Sequence, residues 1–198
     1  LEAKLLSCNA DLENVKDKSQ AESTVRNSRK EAFKNRKKLS TKLLAAIKSS
    51  DASSENVEDA ISINKKIQGE RISEKPAAKP ATEGATATTP NTISTAQLSY
   101  TNIVDHYKKY KTLLASLGTA YAPNETELQI ATITTTITNW ESLNNQVNVA
   151  ETASKNALIK RDKNFYAEKT GIPDVAFAVK EYVKSLFDAG SPEHKLVT

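Results

Sequence analysis

Apolar residues recur every three or four positions through most of this 198-residue chain, with charged residues between them. That spacing belongs to amphipathic helices, not to strands. Leu5, Cys8, Leu12, Val15, Val25 and Phe33 carry it through a first helix from Leu1 to about Lys37. Leu39, Leu43, Leu44 and Ile47 form a second, shorter stretch. Asp51 to Ser54 reads as a turn, with Asp51 or Ser54 capping a third helix through Ile61, Ile63 and Ile67. Ser94 is placed to cap a helix with the face Leu98, Ile103, Tyr107, Tyr110, Leu113 and Leu114, which Gly118 ends.

The dominant element predicted is a helix from Glu125 to Lys169, about 45 residues and nearly 70 Å long. Asn124 stands at its cap position, with Glu127 at capping-box spacing. Its seam of Ile133, Ile137, Trp140, Asn144 and Val147, preceded by Ile130, alternates three and four like a bundle seam. The threonine-rich run Thr132 to Thr138 favours a strand by propensity, but the helical seam passes through it. Gly171 and Pro173 break the rod. A last helix, Asp174 to Phe187, has Val175, Val179, Val183 and Leu186 as its core stripe, and the tail from His194 reads as extended. The fold class is therefore all-α, an up-down helical bundle with at least one very long helix.

Residues 75–93 differ in kind: proline, alanine and threonine dominate, with no large apolar residue before Ile93. Such a segment reads as a flexible linker. It divides the chain into a first helical unit, 1–74, and a second, 94–198. The halves also align without gaps at an offset of 132 residues. Val15 falls on Val147, Ala21 on Ala153, Arg29 on Arg161, Phe33 on Phe165 and Lys37 on Lys169. Ala46 falls on Ala178 and Lys48 on Lys180, while Leu43 matches Val175 and Ile47 matches Val179 conservatively. An internal duplication is expected, each copy needing its neighbour to cover a one-sided apolar face.

Composition narrows the chemistry. The chain is 38% hydrophobic with five glycines, which suits solvated helices. Cys8 is the single cysteine, so no intrachain disulfide can form, and its place beside Leu5 and Leu6 reads as a buried small side chain. His106 and His194 lie far apart without cysteine or histidine partners at ligand spacing, so no metal is expected; His106 reads as a surface residue. The glycines are scattered, no phosphate loop or nucleophile elbow occurs, and the Glu-x-x-His of di-iron bundles is absent. No cofactor and no enzymatic activity are expected. The aromatics Tyr107, Tyr110, Trp140, Phe165, Tyr166, Tyr182 and Phe187 read as core, with Tyr121 plugging a loop.

Three blocks carry a resemblance. They are Tyr121-Ala-Pro123-Asn124-Glu125-x-x-Leu128, then Arg161-x-x-x-Phe165-Tyr166, and Val179-Lys180-x-Tyr182-Val183-Lys184-Ser185-x-Phe187, with Gly171-Ile172 between the last two and Ser191-Pro192-x-x-Lys195 after them. From Leu98 onward the chain resembles a family of two-repeat helical proteins common in Bacteroidetes, departing from its pattern at Asp188, where glycine is usual. The resemblance implies an α-helical fold and a bacterial source; that family has no assigned activity to carry over.

Function is then expected to be structural or protein–protein interaction, through a helix seam or a homo-oligomer, with Asn144 as a register-setting polar contact. The alternative is non-specific nucleic-acid or anion binding by the basic cluster Arg26, Arg29, Lys30, Lys34, Arg36, Lys37, Lys38 and Lys42, opposed only by Glu31. The net charge of +4 permits that without demanding it. A second alternative, a secreted or surface-displayed domain, follows from the proline–alanine–threonine segment. No run of about 18 apolar residues is present, and no leader is legible. The chain lacks methionine and opens inside a helical pattern, so its natural N-terminus is expected upstream. The compartment stays open, weighted toward the cytoplasm.

Overall fold

The computed structural model describes residues 2–69 and 98–197. Among them every regular element is a helix: α1 (Glu2–Ala32), α2 (Arg36–Lys48), α3 (Ser54–Gln68), α4 (Tyr100–Leu117), α5 (Ile130–Phe165), α6 (Ile172–Phe187) and α7 (Pro192–Lys195). Single 3-10 turns lie at Gly118–Ala120 and Thr126–Leu128. The fold is an all-α bundle with two long helices, α1 of 31 residues and α5 of 36. The proposed linker 75–93 and the Ser94 cap lie outside the described residues.

The chain divides into two compact units, Ser28–Asn145 and Leu1–Asn27 with Gln146–Thr198. This differs from a division at the linker, because α1 and α5 each supply residues to both units.

In the unit Ser28–Asn145, α1 stops at Ala32 and Phe33 turns into the core, fully buried. The break restarts as α2 at Arg36, earlier than the periodicity alone suggested. The α2–α3 hairpin is antiparallel: Ser40 Oγ donates to Asn64 Oδ1 at 2.7 Å, and Lys37 Nζ to the Gln68 carbonyl at 2.8 Å. Ser53, not Asp51 or Ser54, caps α3, accepting the Asn56 amide. Gly69 closes α3 at φ 80°, a left-handed conformation that glycine adopts without Cβ strain. Leu43, Ile47, Ala60, Ile67, Ile103 and Leu114 fill the core, each buried side chain of Leu or Ile size contributing about 1.5–3 kcal/mol. Tyr107 and Tyr110 are wholly buried, and each hydroxyl finds a carbonyl: Tyr107 donates to Arg36, Tyr110 to Ala60.

The loop before α5 is plugged by Tyr121, whose hydroxyl donates to the Leu128 carbonyl at 2.8 Å. Asn124 caps nothing: a 3-10 turn intervenes and α5 begins at Ile130, five residues later than expected. At 36 residues α5 is about 54 Å long, shorter than the 70 Å anticipated. Its threonines stay helical because their hydroxyls bond back one turn, Thr134 to Ile130, Thr135 to Ala131, Thr136 to Thr132 and Thr138 to Thr134.

In the other unit a polar cluster joins α1 to α5. Lys4 Nζ donates to the Asn164 carbonyl and to its Oδ1, at 2.6 and 2.7 Å. The Asn164 amide donates to Ser7 Oγ and to the buried Asp11. Lys160 stands 3.0 Å from Asp11. Hydrogen bonds from Asn164 and Lys160 hold the Asp11 carboxyl below its ordinary range. That contribution is present at neutral pH and is lost as acid protonates the group. Cys8 is buried and free.

After α5 the chain turns through Gly171, whose amide donates to the Ala167 carbonyl at 2.6 Å. A Cβ here would fall 2.7 Å from the Ala167 and Phe165 carbonyl oxygens. Gly171→Ala is therefore expected to force the backbone apart and cost about 1–3 kcal/mol; a urea melt of the variant checks it. Helix α6 then starts at Ile172, with Pro173 in its first turn. The tail from His194 was expected to be extended, but Ser191 accepts the His194 amide and caps the single turn α7, which holds His194 and Lys195.

Candidate interaction face

Helix α6 has no buried residue. The expectation that Val175, Val179, Val183 and Leu186 form a core stripe is corrected: the first three are half-buried and Leu186 is exposed. Tyr182 is 65% exposed and Phe187 48%, so these aromatics, with Tyr166, are not core. Phe165 is half-buried. A groove of about 300 Å³ runs along α6, lined by Ile172, Val175, Ala176 and Val179, with Leu5, Lys4 and Val197 at its other wall. Nearly all of its lining is apolar.

The basic cluster is brought to the break between α1 and α2 and is mostly engaged there. Arg26 pairs with Glu22 at 2.8 Å and Glu151 at 3.2 Å. Arg29 lies over the Tyr100 ring, 4.1 Å from its centroid. Arg36 donates to the Phe33 carbonyl, Lys34 pairs with Glu31, Lys37 caps Gln68, and Lys42 pairs with Glu127. Lys30 and Lys38 are exposed. Spacing along the chain showed the charges and Glu31, but not the partners that arrive from distant segments: Gln68 of α3, Tyr100 of α4, Glu127 of the 3-10 turn and Glu151 of α5.

The seam residues turn inward. Ile133, Ile137 and Trp140 are buried in the unit Ser28–Asn145, and Val147 in the other. Trp140 stacks on Phe33 at 4.4 Å and meets Tyr107 edge-on at 4.8 Å, while its indole N–H donates to the Ala32 carbonyl at 3.1 Å. Asn144 has a buried Oδ1 with no hydrogen-bond partner. An unsatisfied buried acceptor costs about 1–3 kcal/mol. Asn144→Leu is therefore expected to stabilise the chain by about 1 kcal/mol, read as a raised thermal midpoint.

His106, expected at the surface, is buried, and neither ring nitrogen has a partner. Periodicity could have found it: it stands three residues after Ile103 and one before Tyr107, beside the core face. Burial, then Lys109 and Lys66, pushes its pKa below the ordinary 6.5, against a weaker pull from Asp105. The unfolded chain thus takes up a proton first as pH falls. The full contribution of neutral His106 is present above about pH 6.5 and declines below it, by at most about 1.4 kcal/mol per pH unit. Melts between pH 7.5 and 5 should show this slope, and His106→Leu should flatten it.

Among the described residues no three or more His, Cys, Asp or Glu side chains are grouped to hold a metal. No described helix is long and apolar enough to cross a membrane. No family model, curated protein or solved structure matches the chain.

Proposed function

We propose that this is a structural helical-bundle protein that works by binding another protein chain. The observation that carries this reading is α6, a helix with an apolar stripe and no buried residue. Leaving such a stripe in water is unfavourable, and exposed apolar patches on folded chains mark interaction surfaces. The anion-binding alternative has less support, because six of its eight basic residues already have partners within the fold.

Light scattering with and without a short DNA duplex, at low and moderate salt, tests the reading. The expected result is a mass indifferent to DNA. A mass that rises with DNA and falls back as salt is added would move the function to the basic cluster.

A further inference from the structure

His106 is 1% exposed, and no described residue offers either ring nitrogen a hydrogen bond. Its place in the fold follows from its neighbours. Leu113 stands seven residues on, two turns along α4 and so on the same line of the helix. Leu113 lines an open groove of about 810 Å³ between α3 and α4, with Ile63 and Lys66 on the α3 wall and Asp105 and Lys109 on the α4 wall. His106 therefore lies on the side of α4 that meets α3, at the end of the groove where Lys66 stands.

The charges around the ring do not suit an imidazolium. Lys66 acts on it from α3 and Lys109 from the next turn of α4, while Asp105, exposed on α4, opposes them more weakly. Lys108 is turned to Glu141 of α5. Tyr107 and Tyr110, the adjacent rings of α4, are raised by burial and stay neutral, their hydroxyls donating to the Arg36 carbonyl of α2 and the Ala60 carbonyl of α3.

The fold is also least tied at this end of the α3–α4 contact. Here the polar side-chain bonds of α3 run to α2: Ser40 donates to Asn64, Lys37 to the Gln68 carbonyl, and Gln68 Nε2 to the Lys37 carbonyl and Thr41 Oγ1. The bond from α4 to α3, Tyr110 to the Ala60 carbonyl, lies six residues before Lys66. Beyond it the two helices share apolar packing through Ile63 and Ile67. Such packing has no directional bond to hold it and can part locally.

We propose that the α3–α4 contact is an acid-opened seam with His106 as its trigger: the neutral ring keeps it shut, and uptake of one proton parts α4 from the carboxy-terminal half of α3, uncovering Ile63 and Ile67. The proton comes from water and adds to the free ring nitrogen. In the shut seam the imidazolium would be buried without a partner beside two ammonium groups, so the proton favours the open form. The inference stands apart from the interaction reading of α6.

A ring that ionises near pH 6.5 only when the seam is open raises the opening constant up to about thirtyfold between pH 7.5 and pH 5. The test is amide hydrogen exchange of the full chain at those two pH values, expressed as protection factors so that intrinsic exchange cancels. Amides 63–68 are expected to lose about ten- to thirtyfold protection at pH 5. Amides 133–140 of α5, in the same unit, are expected to stay better protected than them. His106→Gln, which cannot titrate, is expected to hold the loss within about threefold. Lys66→Glu, at a half-buried position, sets a carboxylate across the seam from a ring that still titrates, and is expected to shrink the loss as well. A loss as large in His106→Gln as in the wild type overturns the proposal. So does equal protection of 63–68 and 133–140 at pH 5, which would mean that the unit yields only as a whole. If His106→Gln fails to fold at pH 7.5, Lys66→Glu decides, and a loss that it leaves unchanged overturns the proposal.

Discussion

Replacing Trp140 with alanine should cost about 3–5 kcal/mol of stability, the range for deleting a large buried aromatic side chain. Three separate losses combine at this position. The stack on Phe33 goes, and so does the edge contact with Tyr107, each worth about 0.5–1.5 kcal/mol beyond burial. The Ala32 carbonyl also loses the indole N–H at the end of α1. Phe33 sits where the chain leaves α1 for α2, so a cavity there loosens the break as well as the core. A denaturant melt checks it. A loss below about 1 kcal/mol would mean that the aromatic cluster is not what fixes the break.

Ile47→Lys should have a larger effect. Ile47 is fully buried on α2 in the Ser28–Asn145 core. An ammonium placed there without a partner either pulls the α2–α3 hairpin open or sheds its proton. The expected loss exceeds about 4 kcal/mol, at the exceptional end for single substitutions, so the variant should lose its cooperative transition or melt far below the wild type. Circular dichroism on heating reads this directly.

The all-α class and the inward seam of Ile133, Ile137, Trp140 and Val147 were legible in the sequence, because a long periodic pattern outweighs local propensity. The threonine run shows why: β-branched residues remained helical once their hydroxyls had carbonyls to bond. Boundaries were less legible. Asn124 and Glu127 have capping-box spacing, yet a 3-10 turn, Thr126–Leu128, follows Asn124 in place of the helix, and Ser53 rather than Ser54 caps α3 because it is the Ser53 hydroxyl that reaches the Asn56 amide, a choice that adjacent serines do not reveal in sequence. The stripe on α6 reads like any core stripe, since periodicity shows which face is apolar and not whether anything covers it. The partners of the basic cluster were illegible for the same reason. A run of charges along the chain says nothing of the Tyr100 ring over which Arg29 lies, or of Glu127 beside Lys42. His106 was misplaced because an isolated histidine beside an aspartate suggests solvent, whereas its angular position on α4 puts it next to the core.

Unlike α2, whose apolar face is buried, α6 carries an apolar stripe that the chain's own fold leaves largely open. The most direct measurement is a paired melt of Ile47→Lys, at a fully buried position of α2, and Val179→Lys, at a half-buried position of α6. The account predicts that Ile47→Lys abolishes or strongly lowers the transition while Val179→Lys stays within about 1 kcal/mol of the wild type. Equal damage from both would show that the chain's own fold already depends on the α6 face, and would contradict the account.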